Sequence, residues 1–411
     1  ASLREDGQPM RLTGKWRFVA ADKPAVALAE FDDSQSPLLN VENEWRLQGV
    51  EHNQNAWFRL RLLVPASLAG KDLGLIVPPV SIASEIYFNG RLMGSRGKIG
   101  SGGEILAPNS AFMLYQIPAA SVKAGAENVV AIRVGQYQRV GGLFGNNYLY
   151  AGEYTQARDH YMVLLLGIVI LGSAFIILGV YHLILYFGRR IETEFLYFSL
   201  IAITSGMHQL GMNGIGYHLT ESRTLNQILI HLVTAGLPVS LVGFATKFFD
   251  LRAKWPERIF LYSGILVALV LVLQQVIPSL YGIQVIYILP FSMLMIMASL
   301  IVFTVLVVKA LRLKRHGAML VGSGFLLYML TVAHDILAYL TLPVEYRLGN
   351  IGFLIPVFGM ATALAQKIQR MHREKELTQQ QAIENLKKAD VLKDEFLANT
   401  SHELRTPLTG I

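Results

Sequence analysis

The chain has 411 residues, of which 53% are hydrophobic and 16% are charged; soluble domains have about a quarter charged residues, so this composition indicates a membrane protein. The 36 Lys and Arg exceed the 29 Asp and Glu, but through Asp159 the balance is 16 to 15, so the basic excess lies later, where orientation and anionic lipid explain it better than a nucleic-acid partner. Cysteine is absent, which excludes disulfides and cysteine-based metal or redox sites.

The first third of the chain has the pattern of an all-β domain. From about Leu12 to Tyr150, short alternating apolar runs are broken by Gly, Pro and Asn. Asn89-Gly90 directly follows one such run, and both residues accept the positive φ of a type I′ turn, which predicts a hairpin. Many short strands at close spacing predict a sandwich or jelly roll.

From Met162 onward, apolar stretches of helical length recur. Each has about 18 to 26 residues, which suits a hydrocarbon core of ~30 Å at 1.5 Å per residue. The second and seventh stretches are the shortest, so a five-span arrangement stays open, and either odd number places the termini on opposite sides. We predict seven spans, at Met162–Phe187, Phe195–Met212, Leu225–Thr246, Ile259–Ile277, Ile283–Val308, Ala318–Leu342 and Leu348–Ala365.

The loops between these stretches predict the orientation. Ten basic residues lie in alternate loops, whereas the intervening loops hold only Arg223 and Arg347. The positive-inside rule then places the β domain outside the membrane and the C-terminus in the cytoplasm. Four tyrosines before the first span are expected to form an interfacial belt: Tyr148, Tyr150, Tyr154 and Tyr161.

A polar helix is predicted after the last span, because the sequence has no Gly or Pro from Gln366 to Arg405. One heptad register gives a coiled-coil seam with apolar ends and a polar middle. The seam residues are Ile368, Met371, Lys375, Thr378, Ala382, Asn385, Ala389, Leu392 and Phe396.

The sixteen residues from Lys393 to Leu408 include His402-Glu403-Leu404-Arg405-Thr406-Pro407. This run closely resembles the phosphoacceptor H-box of sensor histidine kinases. The resemblance implies that His402 accepts a phosphoryl group and that Glu403 orients or deprotonates its imidazole. It also implies that Thr406 helps to place water when the phosphoryl group is hydrolysed.

The residues of this run fit that chemistry. A histidine with an ordinary pKa is mostly neutral in the cytoplasm, so a ring nitrogen can attack the γ-phosphoryl of ATP. Leu392 and Phe396 fall on the predicted seam, and His402 falls beside it, where it can protrude. Thr406 is one helical turn further on the same face, and Pro407 weakens the helix there.

The resemblance also implies a location in a bacterial inner membrane, as well as partners and cofactors. ATP and Mg²⁺ are expected to bind to a domain beyond this sequence, which ends nine residues after His402, so the chain alone is expected to be inactive and to hold no cofactor. A homodimer and a response regulator are the expected partners. Two alternatives stay open: a receptor that heterodimerises with another histidine kinase without being phosphorylated, and a transporter or channel with a signalling tail.

The overall architecture resembles the bacterial seven-transmembrane receptors with diverse intracellular signalling modules, over about residues 155–366. The expected fold is an extracytoplasmic all-β jelly roll, a seven-helix transmembrane bundle and a C-terminal cytoplasmic coiled-coil helix. The predicted domains are a sensor domain at 1–157, the membrane domain at 158–366, a signalling helix at 367–390 and the start of the dimerisation and phosphoacceptor domain at 391–411.

Residues 11–135 resemble the jelly-roll sugar-binding domain of β-glucuronidase-like glycoside hydrolases. The resemblance is carried by Leu12 to Phe18, Ala56 to Arg59, Ile86 to Gly90 and Asn128 to Val134. It favours a carbohydrate as the signal, and for the aromatic residues the sequence favours core packing over stacking on a sugar. The candidate ligand-binding residues are Arg96, Lys98, Trp45, Tyr115, Tyr137 and Asn146.

Ionisable side chains interrupt the apolar stretches. Such groups are costly in a bilayer and usually face a bundle interior or a wet cavity. They are candidates for a switch, with structural hydrogen bonding as the alternative, and no metal site is predicted from them. The residues are His208, His231, His334 and Asp335, together with His182.

Overall fold

The fold was examined in a computed structural model of the chain. The structure describes residues 1–41, 45, 48–50, 55–78, 83–100, 103, 105–107, 112–135, 149–188, 192–216, 223–277, 287–341 and 348–408. The described residues divide into two compact units. The first contains the β domain and most of the membrane helices, and the second contains the long C-terminal helix and the helix segments around it.

The N-terminal region is a β-sandwich. One sheet has the strand order β3-β2-β4-β11-β6-β7, the other β1-β12-β5-β10, and β8 pairs with β9. The strands are β1 Met10–Arg11, β2 Lys15–Val19, β3 Leu38–Asn40, β4 Ala56–Val64, β5 Leu73–Val77, β6 Ala83–Phe88, β7 Arg91–Arg96, β8 Lys98–Ile99, β9 Ile105–Ala107, β10 Met113–Ile117, β11 Ala126–Gly135 and β12 Tyr150–Glu153.

The core lies between the two larger sheets, because alternate side chains of each strand face inward. Phe58 on β4 and Ile132 on β11 pack with Leu75 on β5 and Ile117 on β10. The predicted hairpin is confirmed: Asn89-Gly90 joins β6 to β7 with φ angles of 48° and 83°. The sandwich prediction is therefore confirmed in the described residues.

A segment between β2 and β3 covers the outer face of the six-stranded sheet. Val26 and Ala27 pack there on Trp57 and Ala131. The buried Arg59 guanidinium donates to Asp33 at 2.8 Å and also to the carbonyl oxygens of this segment, at positions 26, 28 and 31. Both faces of this sheet are therefore covered over the central strands.

The helices follow directly. They are α1 Tyr154–Gly188, α2 Thr193–Met212, α3 Arg223–Phe248, α4 Lys254–Val276, α5 Leu289–Arg312, α6 Ala318–Thr341, α7 Gly349–Gly352 and α8 Leu354–Leu408. The first begins eight residues before the predicted span start at Met162, because β12 runs into it without a loop.

Five helical segments in the described part of the chain are long and apolar enough to cross a membrane. They are Tyr154–Gly188, Ile228–Phe248, Lys254–Leu273, Pro290–Arg312 and Ala318–Asp335. The second predicted span corresponds to α2 and the seventh to α7 and the start of α8, and neither meets that criterion. In α2, ten of the 20 residues are buried, and several of these are polar. Because neighbouring elements cover these side chains, α2 can be less apolar than a helix that faces lipid around most of its circumference.

The helix α2 packs closely on α1. A Cβ on Gly206 would lie 2.6 Å from the carbonyl oxygen of Gly172, so only glycine permits this approach. The predicted C-terminal helix is confirmed as α8, a single helix of 55 residues. Coiled-coil pairing of α8 stays a prediction.

Candidate functional site

The sequence-predicted ligand residues of the β domain occupy unlike positions. Trp45 is buried in the core against Phe18 and Phe58, with ring centroids 5.2 Å and 6.3 Å away. Tyr115 is buried on β10, and a Cβ on Gly94 would lie 2.6 Å from its ring. Neither ring presents a face to solvent, so both rings pack in the core, the role that the sequence favoured, and neither is a sugar-stacking residue.

Arg96 is also buried, at the end of β7. Its two terminal nitrogens donate to the carbonyl oxygens of Val77 and Pro78 at 2.8 Å and 2.6 Å, and its guanidinium lies 5.7 Å from the centre of the Tyr115 ring. Burial lowers the pKa of this guanidinium from its ordinary value. Arg96 therefore ties the two sheets together, and its prediction as a residue of an open binding loop is corrected.

Lys98 is exposed on β8. It is the one candidate among the described ligand residues that is open to solvent. Tyr137 and Asn146 lie outside the described residues, so their prediction as ligand residues stays a prediction.

A polar cluster that the sequence reading missed lies on the outer face of the six-stranded sheet. Arg133 donates to both oxygens of Asp22, at 2.6 Å and 2.7 Å, and to Glu85 at 3.1 Å. Tyr87 donates to the same Glu85 oxygen at 2.9 Å, and Asn55 donates to Asp22 at 3.0 Å. The three charged side chains are 15 to 18% exposed.

The electrostatics of this polar cluster follow from its contacts. Burial alone lowers the pKa of Arg133, but the bonds to Asp22 and Glu85 outweigh it and the pKa is raised. Burial, followed by the bond to Glu85, raises the pKa of Tyr87 to about 12. Strand alternation predicts that the side chains of Arg133 and Ile132 lie on opposite faces of the sheet. The register that pairs Arg133 with Trp57 and Glu85 depends on how distant strands meet, so the local sequence does not predict it.

The β domain is joined to α1 by a capped, continuous connection. Glu153 ends β12, and its carboxylate accepts from the backbone N–H groups of Thr155 and Gln156 at 3.1 Å and 3.2 Å. These bonds outweigh the effect of burial and lower the pKa of Glu153. Because the side chain caps the helix, α1 starts in a fixed direction from the sheet.

The four-stranded sheet also packs against the first turns of α1. A Cβ on Gly74 of β5 would lie 2.5 Å from the Cβ of Ala157. Ile76, Phe112 and Tyr161 form a small apolar cluster beside this contact. Tyr161 is therefore buried between sheet and helix, which corrects its prediction as part of an interfacial belt.

The Phe112 peptide connects three elements. It precedes β10, its carbonyl oxygen accepts from the Tyr161 hydroxyl of α1 at 3.1 Å, and its N–H donates to the carbonyl oxygen of Asn213, just after α2, at 3.3 Å. We call this set of contacts, with the close approach of Gly74 and Ala157, the sheet–helix junction. A shift of the four-stranded sheet would reach both α1 and α2 through it.

The intramembrane candidates make local hydrogen bonds. His208 of α2 contacts the carbonyl oxygen of Ile230 in α3 at 2.7 Å through Nδ1, and the carbonyl oxygen of His231 accepts from the Thr234 hydroxyl at 2.6 Å. His182 contacts the Leu178 carbonyl oxygen at 2.9 Å. In the described residues, no cluster of three or more metal-ligating side chains is present.

Asp335 lies in the last two turns of α6, which ends at Thr341. Its Oδ1 accepts from the backbone N–H of Leu348 at 2.8 Å and lies 3.1 Å from Nδ1 of His334. The carboxylate thus fastens the residue that precedes α7 to α6. Its role as a switch stays a prediction.

The H-box-like run lies at the end of α8, and the helix includes His402, Glu403 and Thr406. The side chains of these three residues lie outside the described part of the structure. Upstream of the motif, residues 373–397 are exposed along all sides of the helix.

Comparisons with solved structures give short, distant matches to the N-terminal region. Bacteroides uniformis β-glucuronidase 2 is 16% identical over 35% of this chain and 18% of that chain, with a TM-score of 0.29. A glycosyl hydrolase family 2 member from Bacteroides cellulosilyticus is 17% identical over 35% of this chain and 20% of that chain, with a TM-score of 0.30. The β-glucuronidase from Ruminococcus gnavus is 16% identical over 31% of this chain and 21% of that chain, with a TM-score of 0.25. The chain spans only about a fifth of those chains. No curated protein matches the chain.

A family model described as 7TM diverse intracellular signalling matches residues 162–367. This range extends from α1 to the first part of α8 and contains all the described helices between them. Half of the chain is matched, so the chain belongs to this family of transmembrane receptors linked to intracellular signalling modules.

Proposed function

We propose that this chain is the sensing and transmission part of a bacterial sensor histidine kinase. The β domain receives an extracytoplasmic signal, the sheet–helix junction passes it to the membrane helices, and α8 carries it to His402. In the complete kinase His402 is phosphorylated from ATP and passes the phosphoryl group to an aspartate of a response regulator.

The observation that carries this proposal is the unbroken helix α8. It starts at Leu354 beside α6 and continues to Leu408, through the whole H-box-like run. His402 lies 37 residues after Ala365, which corresponds to about 55 Å of helix. A change of tilt or rotation at the membrane end can therefore reach the motif without crossing a loop.

Exposed apolar side chains on α8 support a dimeric kinase. Leu392 and Phe396, one turn apart on the predicted seam, are 65% and 68% exposed. Apolar groups of this size on a free helix are stabilised when a second helix covers them. Pairing with a second copy of α8 would do so, and it would place two His402 side chains in one dimer.

The chemistry assigned to the motif is simple. A ring nitrogen of His402 forms a bond to the γ-phosphorus of ATP, and the bond to ADP breaks. Glu403 is the nearest carboxylate in sequence and takes or holds the imidazole proton. Mg²⁺ and the nucleotide are supplied by the nucleotide-binding domain of the complete kinase.

A carbohydrate is the proposed class of signal. Support comes from the cluster of Arg133, Asp22 and Glu85, because convergent polar groups on a rigid sheet can exchange hydrogen bonds with the hydroxyl groups of a sugar. We expect calorimetric titration of the full chain with neutral and acidic oligosaccharides to give heat at millimolar ligand or below. Arg133→Gln should weaken the response, and exposed Arg91→Gln serves as the control. No heat with any oligosaccharide would overturn the carbohydrate assignment alone.

The kinase assignment is tested by labelling with radioactive phosphate in the full-length protein. His402→Gln should abolish the label, whereas His372→Gln, an exposed histidine earlier on α8, should leave it at the wild-type level. Retained label in His402→Gln would refute the assignment. An unlabelled wild type that alters labelling of a second kinase would support the heterodimerising receptor instead.

A further inference from the structure

Four side chains at the start of α4 form a basic and aromatic cluster. They are Lys254, Trp255, Arg258 and Tyr262. Lys254, Arg258 and Tyr262 are spaced by four residues, and Trp255 is adjacent, so all four lie within about 100° of the helix circumference. We call this set the α4 cluster.

The α4 cluster lies at one end of an exposed apolar stripe. Trp255 is 76% and Tyr262 67% exposed, and the same side of the helix continues with exposed Ile259, Leu266 and Leu269. A stripe of this kind on an apolar helix faces the acyl chains of a bilayer. Trp255 then lies at the level where the acyl chains meet the headgroups, as interfacial aromatic residues do, and Tyr262 lies about 10 Å further along the helix, beside the upper acyl chains.

Among the described residues, the two cations of the α4 cluster have no acidic partner. Lys254 and Arg258 are both exposed, and within the described ranges neither forms an ion pair with a carboxylate. Glu257 is the only acidic residue of α4, and it lies about 100° around the helix from Arg258. Two uncompensated positive charges therefore face the headgroup level, next to two aromatic rings.

We propose that the α4 cluster binds the headgroup of an anionic phospholipid. The guanidinium of Arg258 and the ammonium of Lys254 pair with the phosphate oxygens, and Trp255 and Tyr262 pack on the glycerol and upper acyl chains. A lipid fits better than free phosphate, because the aromatic pair and the apolar stripe continue directly from the cations. The last turn of α5, which carries Lys309 and Arg312, lacks neighbouring aromatic residues and is the matched comparison.

The tryptophans make this proposal directly measurable. The chain has four; Trp16, Trp45 and Trp57 are each 1% exposed in the β domain, so Trp255 is the residue that bilayer quenchers reach. The full chain is reconstituted in bilayers of equal parts phosphatidylcholine and phosphatidylglycerol, with brominated acyl chains on one lipid or the other. We expect brominated phosphatidylglycerol to quench Trp255 more strongly, and Trp255→Phe to remove the quenched signal.

The variants decide the outcome. Each positive charge near an anionic surface is worth about five-fold in lipid affinity, so Lys254→Gln/Arg258→Gln should bring the preference for phosphatidylglycerol close to none. Lys309→Gln/Arg312→Gln should leave it unchanged. Equal quenching by both lipids in the wild type, or the same preference in both double variants, would overturn the proposal. Loss of the preference on adding inorganic phosphate would instead identify a soluble-anion site and overturn the assignment to lipid.

Discussion

The buried carboxylate of Asp33 shows how one residue fixes the cover of the outer sheet face. Burial alone raises its pKa, but the hydrogen bond and charge of Arg59, helped by Arg61, outweigh burial and hold the pKa below its ordinary 3.8. A group with a lowered pKa in the folded state stabilises the fold above its unfolded pKa. This contribution is lost as the pH falls through the folded value.

Asp33→Asn should therefore destabilise the β domain in a pH-dependent way. Removing one partner of a buried ion pair costs about 3 kcal/mol, so at neutral pH the free energy of unfolding of the variant should be lower than that of the wild type by about this amount. This difference in the free energy of unfolding should become smaller as the pH falls below 3.8. Denaturant unfolding followed by tryptophan fluorescence measures the free energy of unfolding of both proteins at each pH, with exposed Glu30→Gln as the control. A difference that stays constant with pH would contradict the ion pair between Asp33 and Arg59 as the source of this stability.

The ligand candidates illustrate what residue types alone can predict. Trp45, Tyr115 and Arg96 have the chemistry of a sugar site, yet all three are buried, because the segments that cover them come from distant parts of the chain. Conversely, Arg133, Asp22 and Glu85 come from three separate regions. Only the strand register brings them together, so no local pattern could have found the cluster.

At the scale of elements, the sheet–helix junction depends on the missing side chain of Gly74. Gly74→Ala would place a methyl group 2.5 Å from the Ala157 methyl, and overpacking of this kind costs about 1 to 3 kcal/mol. Ala157→Gly should restore much of the loss, because it removes the methyl group that clashes. The free energy of unfolding of the full chain, measured by denaturant titration, checks both.

Gly167→Ala is the matched control for this pair. Gly167 lies in α1, and a Cβ there meets nothing within 4 Å, so stability should stay the same or rise slightly. If Gly74→Ala were as well tolerated as Gly167→Ala, the sheet would not be held against α1 as described.

The helices also show which membrane spans hydropathy can predict. Long uninterrupted apolar runs such as those of α1 and α5 were predicted because a lipid-facing helix must be apolar around most of its circumference. The helix α2 has Ser and Thr among its buried residues. Neighbouring helices cover these polar residues, so the hydropathy of α2 alone does not show whether it lies in the membrane. The hairpin at Asn89-Gly90 was predictable because it is set by two adjacent residues.

At the scale of the molecule, the proposed kinase requires α8 to pair with α8 of a second copy. Since the sequence has no cysteine, single cysteines report contacts without background. Leu392→Cys should form a disulfide-linked dimer in oxidised membranes. Asp394→Cys lies about 200° around the same helix and should cross-link much less. Similar cross-linking at both positions would argue against the predicted seam.

The domain order of the molecule followed from composition: a nearly neutral β region, an apolar middle and a charged tail. The heptad pattern and the H-box-like run are also local features of the sequence. The connection between the parts was not, since it depends on Phe112 meeting both Tyr161 and the end of α2. Such contacts are set by packing between distant segments.

Phosphorylation of His402 in sheet–helix junction variants tests the central claim most directly. In the full-length kinase, Gly74→Ala should change the amount of phosphate on His402 several-fold relative to wild type, and Gly74→Ala/Ala157→Gly should return it toward the wild-type amount. Equal labelling of all three proteins, or phosphate on a residue other than His402, would contradict the account.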